Sequence, residues 1–363
     1  MAATGKLRWG VLSTAGIARN HVIPAMKSGE LTEVVAIASR DAVLAAKAAM
    51  DLGIPRSYGS YEELLRDPEV DAVYNPLPNH LHAIWTIRAL EAGKHVLIEK
   101  PAAMNAQETL DILAVQKRTG RIVLEGFMVR FHPQWEAVRT IVRSGRIGQV
   151  RAMQAIFTYF LTDPQNIRNQ ADLGGGGLYD IGCYAINTAR YVFGAEPERV
   201  IGLFDMDPDL ATDRLTSGLA EFPRHRQLAF TCATQLSPCQ RVEILGTSGR
   251  ISIALPFNPA ADAETSICID DGRDLSGGGR ETIRFPAADQ YKKQGDAFAR
   301  AVFGNGPLVS DLSDSVKNMQ VIDAFFRSQK SGQWEKPGGP DATNDRPLIT
   351  ATDEGKRSDN LAI

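Results

Sequence analysis

The chain has 363 residues, 44% of them hydrophobic and 23% charged, a length that suits two domains and a composition that excludes extended disorder, collagen-like repeats and coiled coils. Its 40 Lys plus Arg nearly balance 43 Asp plus Glu, for a net charge of -3, and no basic cluster resembles a footprint on a phosphate backbone, so nucleic acid is not an expected partner. No apolar run reaches the roughly 18 to 20 residues of a membrane span and MAATGKLRWG lacks a signal-peptide apolar region, which leaves the cytoplasm as the expected location and no membrane as partner. The four cysteines, Cys183, Cys232, Cys239 and Cys268, lie far apart without a C-x-x-C pair, so they are expected to be reduced and buried, with neither disulfide nor zinc.

In chain order, LRWGVLS (7 to 13) reads as a buried strand that ends in a small-residue turn, followed by a helix from about Ile17 to Met26 that Pro24 kinks or splits. Then come a strand at 33 to 39, a helix from Asp41 to Leu52, a strand at 71 to 76, a helix from Asn79 to Ala92, a strand at 94 to 100, a helix from Ala106 to Thr119 and a strand at 121 to 125. Continuously apolar strands separated by helices suit a parallel sheet covered on both faces, a doubly wound nucleotide-binding pattern. After Gly126 the texture changes. A long strand at 150 to 160 and a glycine run opening a helix precede five strand-like segments that follow one another with only turn residues between, which predicts an antiparallel sheet. The fold class expected is α/β, with a Rossmann domain over 1–125 and an α+β domain over 126–334 built on a large, open, mostly antiparallel sheet. Helices Gln290 to Phe303 and Leu312 to Gln329 close that domain, and a polar tail occupies 335–363.

The turn after the first strand carries a degenerate G-x-G-x-x-G/A fingerprint, with Ser13, Ala15 and Ala18 at its three positions and Gly16 displaced by one. Small residues there let the amides of Ser13, Thr14, Ala15, Gly16 and Ile17 approach a pyrophosphate at a helix N-terminus; a tight strand-to-helix turn is the plainer alternative. The second strand ends in Ser39-Arg40, a hydroxyl and a guanidinium where an NAD site has an acid, so a ribose 2'-phosphate is favoured; a solvated loop residue is the plainer reading of Arg40, and Asp41, read as the helix cap, keeps NAD open. In YNPLPNHLH (74 to 82) the prolines stop the strand, Asn79 reads as a helix cap, and His80 and His82 are either ligands or packing residues, without the carboxylates a metal site needs. Lys100, in IEKPAA, lies at the carboxyl end of a parallel strand where such sheets bind ligands, or pairs with Glu99 at the surface. Asp180 and Tyr184, four apart after the glycine run, share a helix face and are an acid/base pair or a core-capping pair.

Taken in order, EKP (99 to 101), LEGFMVRFHPQ (124 to 134) and GGGLYDIGCYAIN (175 to 187) resemble the Gfo/Idh/MocA oxidoreductases, over about Arg8 to Trp334. Asp180 followed by Tyr184 is similar to the branch of glucose-fructose oxidoreductase, NADP-dependent D-xylose dehydrogenase and dihydrodiol dehydrogenase, whereas the inositol dehydrogenase branch has His at the Tyr184 position. Ser13 and Ala15 depart from the usual glycines, and Asn75 stands where a β-branched residue is common. The resemblance implies a cis peptide before Pro101, Lys100 and Tyr184 as catalytic pair with Asp180 orienting substrate, and Ser39, Arg40, Leu77, Asn79, His82 and Glu99 along an NADP cofactor. It also implies a homodimer or higher homo-oligomer through the second sheet.

The implied reaction is hydride transfer between a carbinol carbon and the nicotinamide, with no metal. An ordinary Tyr ionises near 10, and an ammonium beside it favours the phenolate, which makes Lys100 with Tyr184 a sensible proton-transfer pair. The expected substrate is a small sugar or polyol, most of all an aldopyranose such as D-xylose or D-glucose oxidised at C1. Arg130, His132, Tyr159, Asn187 and Asp180 are the expected polar contacts, and Phe157 and Tyr159 also the expected aromatic wall unless they pack the sheet. Alternatives are a keto-sugar reductase of the anhydrofructose type, a dihydrodiol dehydrogenase, and, from another class, a non-catalytic NADP sensor, which would be expected to lack the Lys or Tyr that this chain has.

Overall fold

The computed structural model describes residues 5–338. Within them the chain forms two compact units, 5–126 with 294–316 and 127–293 with 317–338. In the first, β1 (Leu7–Leu12), β2 (Thr32–Ala38), β3 (Arg56–Tyr58), β4 (Ala72–Asn75), β5 (His95–Ile98) and β6 (Val123–Glu125) make one sheet in the order β3-β2-β1-β4-β5-β6. Every pairing is parallel. Trp9, Val11, Ile37, Val73 and Val96 are fully buried, as strands covered on both faces require. The order reverses between β2 and β4 on either side of β1, so the carboxyl ends of β1 and β4 border the crevice in which such sheets bind nucleotides.

The first helix starts as a π-helical turn, Ala18–Val22, and continues as α1 (Ile23–Lys27), with Pro24 directly after that turn, so its missing N–H falls where the regular hydrogen-bond ladder is already interrupted. Asp41 caps α2 (Ala42–Leu52), its carboxylate accepting from Val43 N at 2.8 Å and Leu44 N at 3.1 Å. Asn79, expected as a cap, is instead the first residue of α4 (Asn79–Glu91); Pro78, extended and without an N–H, takes the cap position. Asn105 caps α5 (Ala106–Thr119). β3 and α3 (Tyr61–Arg66), too short to show a period, were not anticipated.

The second domain was expected to run unbroken from 126 to 334, yet 294–316 belongs to the first unit. The reason is packing that strand and helix patterns do not show. The Asp296 carboxylate accepts from Leu31 N at 2.9 Å, Phe298 lies 5.0 Å from the Trp9 ring, and Leu312 is in the core beside Leu12 and Val96.

In the second unit, α6 (Pro133–Arg143) precedes β7 (Val150–Phe160), and α7 (Cys183–Phe193) precedes a meander of β8 (Arg199–Met206), β9 (Asp213–Phe222) and β10 (Arg226–Ala233). A second meander follows, β11 (Gln235–Gly246), β12 (Arg250–Ile253), β13 (Thr265–Asp270) and β14 (Arg280–Phe285). In chain order the helices α8 (Gln290–Val302), mostly in the first unit, and α9 (Leu312–Ser331), mostly in the second, come last. The strands form one sheet, β14-β13-β12-β11-β7-β10-β9-β8, and β10 pairs with β7 in parallel while the other pairs are antiparallel. The parallel pair arises because the two meanders dock on opposite sides of β7, and the first arrives after a helix.

Met153, Ala155 and Phe157 of β7 face the buried side, while the alternate residues Gln154 and Phe160 are exposed. On the buried side Gly218 admits the rings of Phe230 and Phe325, which a Cβ would approach to 2.4 and 2.7 Å. Cys183 and Cys232 are buried, but Cys239 is exposed and Cys268 half-buried, contrary to expectation, because both occupy outward positions of the sheet; all four are free. At the start of the expected tail, Glu335 exchanges backbone hydrogen bonds with Val200 on the sheet's edge, at 2.8 and 2.9 Å; from 339 on, the tail lies outside the described residues. No helix among the described residues is long and apolar enough to cross a membrane.

Candidate active site

The nucleotide end of the first unit is assembled at the carboxyl ends of its strands. After β1, Ser13 takes a left-handed conformation at φ 74°, its Oγ accepting from Ala15 N at 3.2 Å, so serine does here what glycine does in the usual fingerprint. Ala18 is fully buried, and a Cβ on Gly16 would meet nothing nearer than the Asn20 side chain at 3.9 Å, leaving open space above the turn. After β2, Ser39 Oγ accepts from Asp41 N at 3.2 Å and Asp41 is committed to its cap, while Arg40 stands exposed with its guanidinium near Tyr61. Burial raises the Tyr61 phenol and Arg40 opposes that rise. A cation and a hydroxyl, with no uncommitted acid, fit a phosphorylated ribose, so these residues suit a nicotinamide dinucleotide of the NADP kind.

Below this, Asn75 Nδ2 donates to His82 O and Thr86 Oγ1 at 3.2 and 3.1 Å. His82 is fully buried, Nδ1 2.8 Å from Pro101 O and Nε2 2.7 Å from Leu77 O, and burial lowers it to about 4. It braces two loops and, contrary to the expected cofactor contact, has no nitrogen turned outward. Glu99 accepts from Tyr74 OH at 2.7 Å and from Lys100 N at 3.3 Å, and Glu125 accepts from Ala102 N at 2.8 Å. The Lys100-Pro101 peptide is cis. Lys100 therefore sits, half-buried, on a loop held by His82, Glu99 and Glu125.

In the second unit the glycine run is explained by close approach. Gly174 and Gly176 have φ of 84° and 114°, and a Cβ would come within 2.5 Å of Arg168 O at Gly175 and within 2.1 Å of Asp213 Oδ1 at Gly176. Asp213, on β9, accepts from Leu178 N and Thr216 Oγ1, both at 2.7 Å, and so anchors the start of the helix that carries Asp180 and Tyr184. That helix begins as a π-helical turn, Leu178–Gly182, holding Asp180, and continues as α7 with Tyr184 in its first turn. Asp180 Oδ2 accepts from Tyr159 OH at 2.6 Å and Arg168 Nε at 3.1 Å. Burial, then Asp180, pushes the Tyr159 phenol far up, so it stays a donor.

The Tyr184 ring is boxed by Phe127, Phe157 and Phe257, with centroids at 5.5, 5.8 and 5.5 Å, and its hydroxyl donates to Met128 Sδ at 3.4 Å. Phe157 thus walls Tyr184, and Tyr159 serves Asp180, in place of the expected sugar-stacking wall. Arg130, Asn187 and His132 are all buried: Arg130 donates to Asn187 Oδ1 at 2.8 Å with its guanidinium over Tyr191, and His132 caps α6. Burial lowers His132 to about 4. Asn187 Nδ2 and His132 Nε2 have no hydrogen-bond partner among the described residues. Missed by sequence reading were Arg168, in a loop without periodicity, and Asp213, for which four consecutive glycines were the available signal of a close neighbour.

Asp213 gives a pH test. Burial raises it to about 6, above the roughly 3.9 of an unfolded Asp, so the folded state binds the proton more tightly. Its stabilising contribution is full below about pH 4 and is lost as pH rises through about 6, at most about 3 kcal/mol. Urea melts between pH 4 and 7 should show that fall in the native protein and a flatter profile in Asp213→Asn; equal slopes would contradict it.

Residues 7–127 match the family model of GFO/IDH/MocA oxidoreductases with an NAD-binding Rossmann fold, and residues 135–252 match that of the GFO/IDH/MocA C-terminal domain. The chain belongs to the Gfo/Idh/MocA family. It is 50% identical over 329 residues to an uncharacterized oxidoreductase, ORF334, of Rhizobium meliloti, covering 91% of this chain and 98% of that one. To a D-xylose 1-dehydrogenase (NADP(+)) of Haloferax volcanii it is 39% identical over 330 residues, 90% of this chain and 98% of that one. Among solved structures, the 3-ketoreductase KijD10 of Actinomadura kijaniata, in complex with NADP and TDP-benzene, superposes with a TM-score of 0.83 at 33% identity, covering 89% of this chain and 98% of that one. As a Gfo/Idh/MocA protein, the chain is an NAD(P)-dependent oxidoreductase.

Proposed function

We propose that this protein is an NADP-dependent dehydrogenase of a small polyhydroxylated ring, with an aldopyranose such as D-xylose or D-glucose oxidised at C1 to its lactone. The observation that carries the reading is the Tyr184 phenol, boxed by three aromatic rings, on the same helix as an Asp180 carboxylate held by Tyr159 and Arg168. The 39% identity to a D-xylose 1-dehydrogenase supports the substrate, and the Ser39-Arg40 end of β2 supports NADP. A nicotinamide, when bound, would supply the acceptor for the C1 hydride. Tyr184 takes the proton of the C1 hydroxyl, so that the C1–H and O–H bonds break as the C1=O bond forms. Asp180 accepts a hydrogen bond from a sugar hydroxyl and orients the ring. Lys100, at the carboxyl end of β5, is the ammonium on the nucleotide side of the proposed reaction.

The likeness to a 3-ketoreductase supports a second reading, reduction of a keto-sugar by the same residues run in reverse. A panel of aldoses, inositols, dihydrodiols and keto-sugars followed by NADPH absorbance separates the two. Aldoses should be turned over best, and deoxy analogues should react poorly because each missing hydroxyl strands a polar group of the site. Turnover confined to keto-sugars would reassign the substrate.

The second sheet's outward face supports a homo-oligomer, most simply a dimer. Leu203 and Leu219 are 77% and 48% exposed on neighbouring strands, with Phe160 at 65% on the same sheet. Light scattering should return about twice the 39.5 kDa of one chain, and Leu203→Glu with Leu219→Glu should return one chain. A native mass of one chain would overturn this. The exposed free thiol of Cys239 fits the reducing cytoplasm.

A further inference from the structure

We propose that Arg168 is a positioning residue for the reaction: bonded to Asp180, it holds that carboxylate as an acceptor and sets a fixed positive charge about one helical turn from Tyr184. This rests on the reading of Asp180 and Tyr184 given above.

Arg168 lies between β7 and α7 in a single 3-10 turn, Ile167–Asn169, whose cap Asn166 accepts from Arg168 N at 3.1 Å. Its own carbonyl accepts from Gly176 N at 2.8 Å, and Gly175 packs so closely on that carbonyl that no side chain fits between. The backbone of Arg168 is thereby clamped to the loop that opens the helix of Asp180 and Tyr184. From this fixed base Nε reaches Asp180 Oδ2 at 3.1 Å, the oxygen that also accepts from Tyr159 OH. The terminal amines of Arg168 make no hydrogen bond among the described residues, and its side chain is 43% exposed against 16% for Asp180. A cation open to solvent on one side and bonded to a largely enclosed carboxylate on the other has the layout of a hinge pin for the acid, not of a surface ion pair.

The chemistry follows from the two donors on one oxygen. Hydrogen bonds from a guanidinium and a phenol stabilise the carboxylate over the acid, so Asp180 accepts from substrate and leaves proton transfer to Tyr184. The neighbouring groups do not compete for that proton. Tyr159 is held protonated, and Cys232 on β10, which faces Asp180 and Asp213, is pushed well up by burial and stays a neutral thiol. The Arg168 charge is itself reinforced, first by Asp180 and then, against its burial, by Tyr159 and Tyr184. That interaction is reciprocal, so removing the guanidinium makes the Tyr184 phenolate harder to form.

The test uses full-length Arg168→Ala and Arg168→Lys. Arg168→Ala should lower kcat about 10- to 100-fold, as loss of a hydrogen bond to a charged group predicts, and move the acidic limb of the kcat–pH profile upward by about a unit. NADP affinity should stay within about twofold, since the expected nucleotide contacts are in the other unit. Millimolar ethylguanidinium, entering from the exposed side, should restore activity saturably where KCl does not, and Arg168→Lys should keep the limb near its native position. A loss of kcat equal at every pH with no rescue, or a rise in KM alone, would overturn the proposal. A substrate-free readout separates its failure from that of the functional reading: near-ultraviolet titration of tyrosinate should show the transition that Tyr184→Phe removes displaced upward in Arg168→Ala. An unmoved transition contradicts the role of Arg168 whatever the substrate.

Discussion

Tyr184→Phe is expected to lower kcat by about 10² to 10⁴, the range that a positioned acid or base contributes, while leaving NADP affinity nearly unchanged. The substitution removes one oxygen and no ring. Phe127, Phe157 and Phe257 keep their neighbour, and the hydrogen bond of the hydroxyl to Met128 Sδ at 3.4 Å is a weak one. Lost activity with an unchanged melting temperature would therefore report chemistry. Stopped-flow measurement of hydride transfer together with a fluorescence titration of NADPH decides it. Retention of more than about a tenth of the native kcat would count against Tyr184 as the proton carrier.

Arg40→Asp is expected to weaken use of NADP about 10- to 100-fold in kcat/KM and to leave NAD unchanged or improved. The argument is one of commitments. Asp41 spends its carboxylate on the amides of Val43 and Leu44, Ser39 Oγ is engaged by Asp41 N, and Arg40 is the exposed charge left at the end of β2. An acid in its place repels a 2'-phosphate and offers an acceptor to a 2'-hydroxyl. Steady-state rates with both cofactors measure this; an equal effect on both would show that Arg40 serves the loop and not the nucleotide.

The first sheet was legible because β1, β2, β4 and β5 are buried on both faces and so read as unbroken apolar runs between helices. β3, three residues long, carries no such run, and its neighbour α3 has barely more than one turn. In the second sheet, strand after strand without helices predicted antiparallel pairing, which holds within each meander and fails at β7 with β10, because pairing across a helical connection is decided by docking and not by local pattern. The return of 294–316 to the first unit hangs on Phe298 against Trp9 and on Asp296 with Leu31, the latter 265 residues apart in the chain.

At the site, residue type was a better guide than role. Arg130, His132 and Asn187 look like pocket donors in a motif; the fold buries all three and pairs Arg130 with Asn187 Oδ1, a structural bond that residue type does not announce. Arg168 and Asp213 were invisible for the opposite reason. Each is an ordinary charged residue whose importance comes from a carboxylate or an amide brought to it by the fold. The glycines at 174–177 carried the hint, since a run of residues without Cβ marks where two backbones and a carboxylate must come close.

The most direct test of the proposed reaction follows the hydrogen. D-xylose or D-glucose deuterated at C1 is incubated with the protein and NADP, and the NADPH and the sugar product are examined by mass spectrometry. The account predicts one deuterium in each NADPH, one aldonolactone or its aldonic acid per NADPH, and a slower rate than with the unlabelled sugar when hydride transfer limits turnover. NADPH formed without the label, or a keto-sugar as the product, would contradict oxidation at C1.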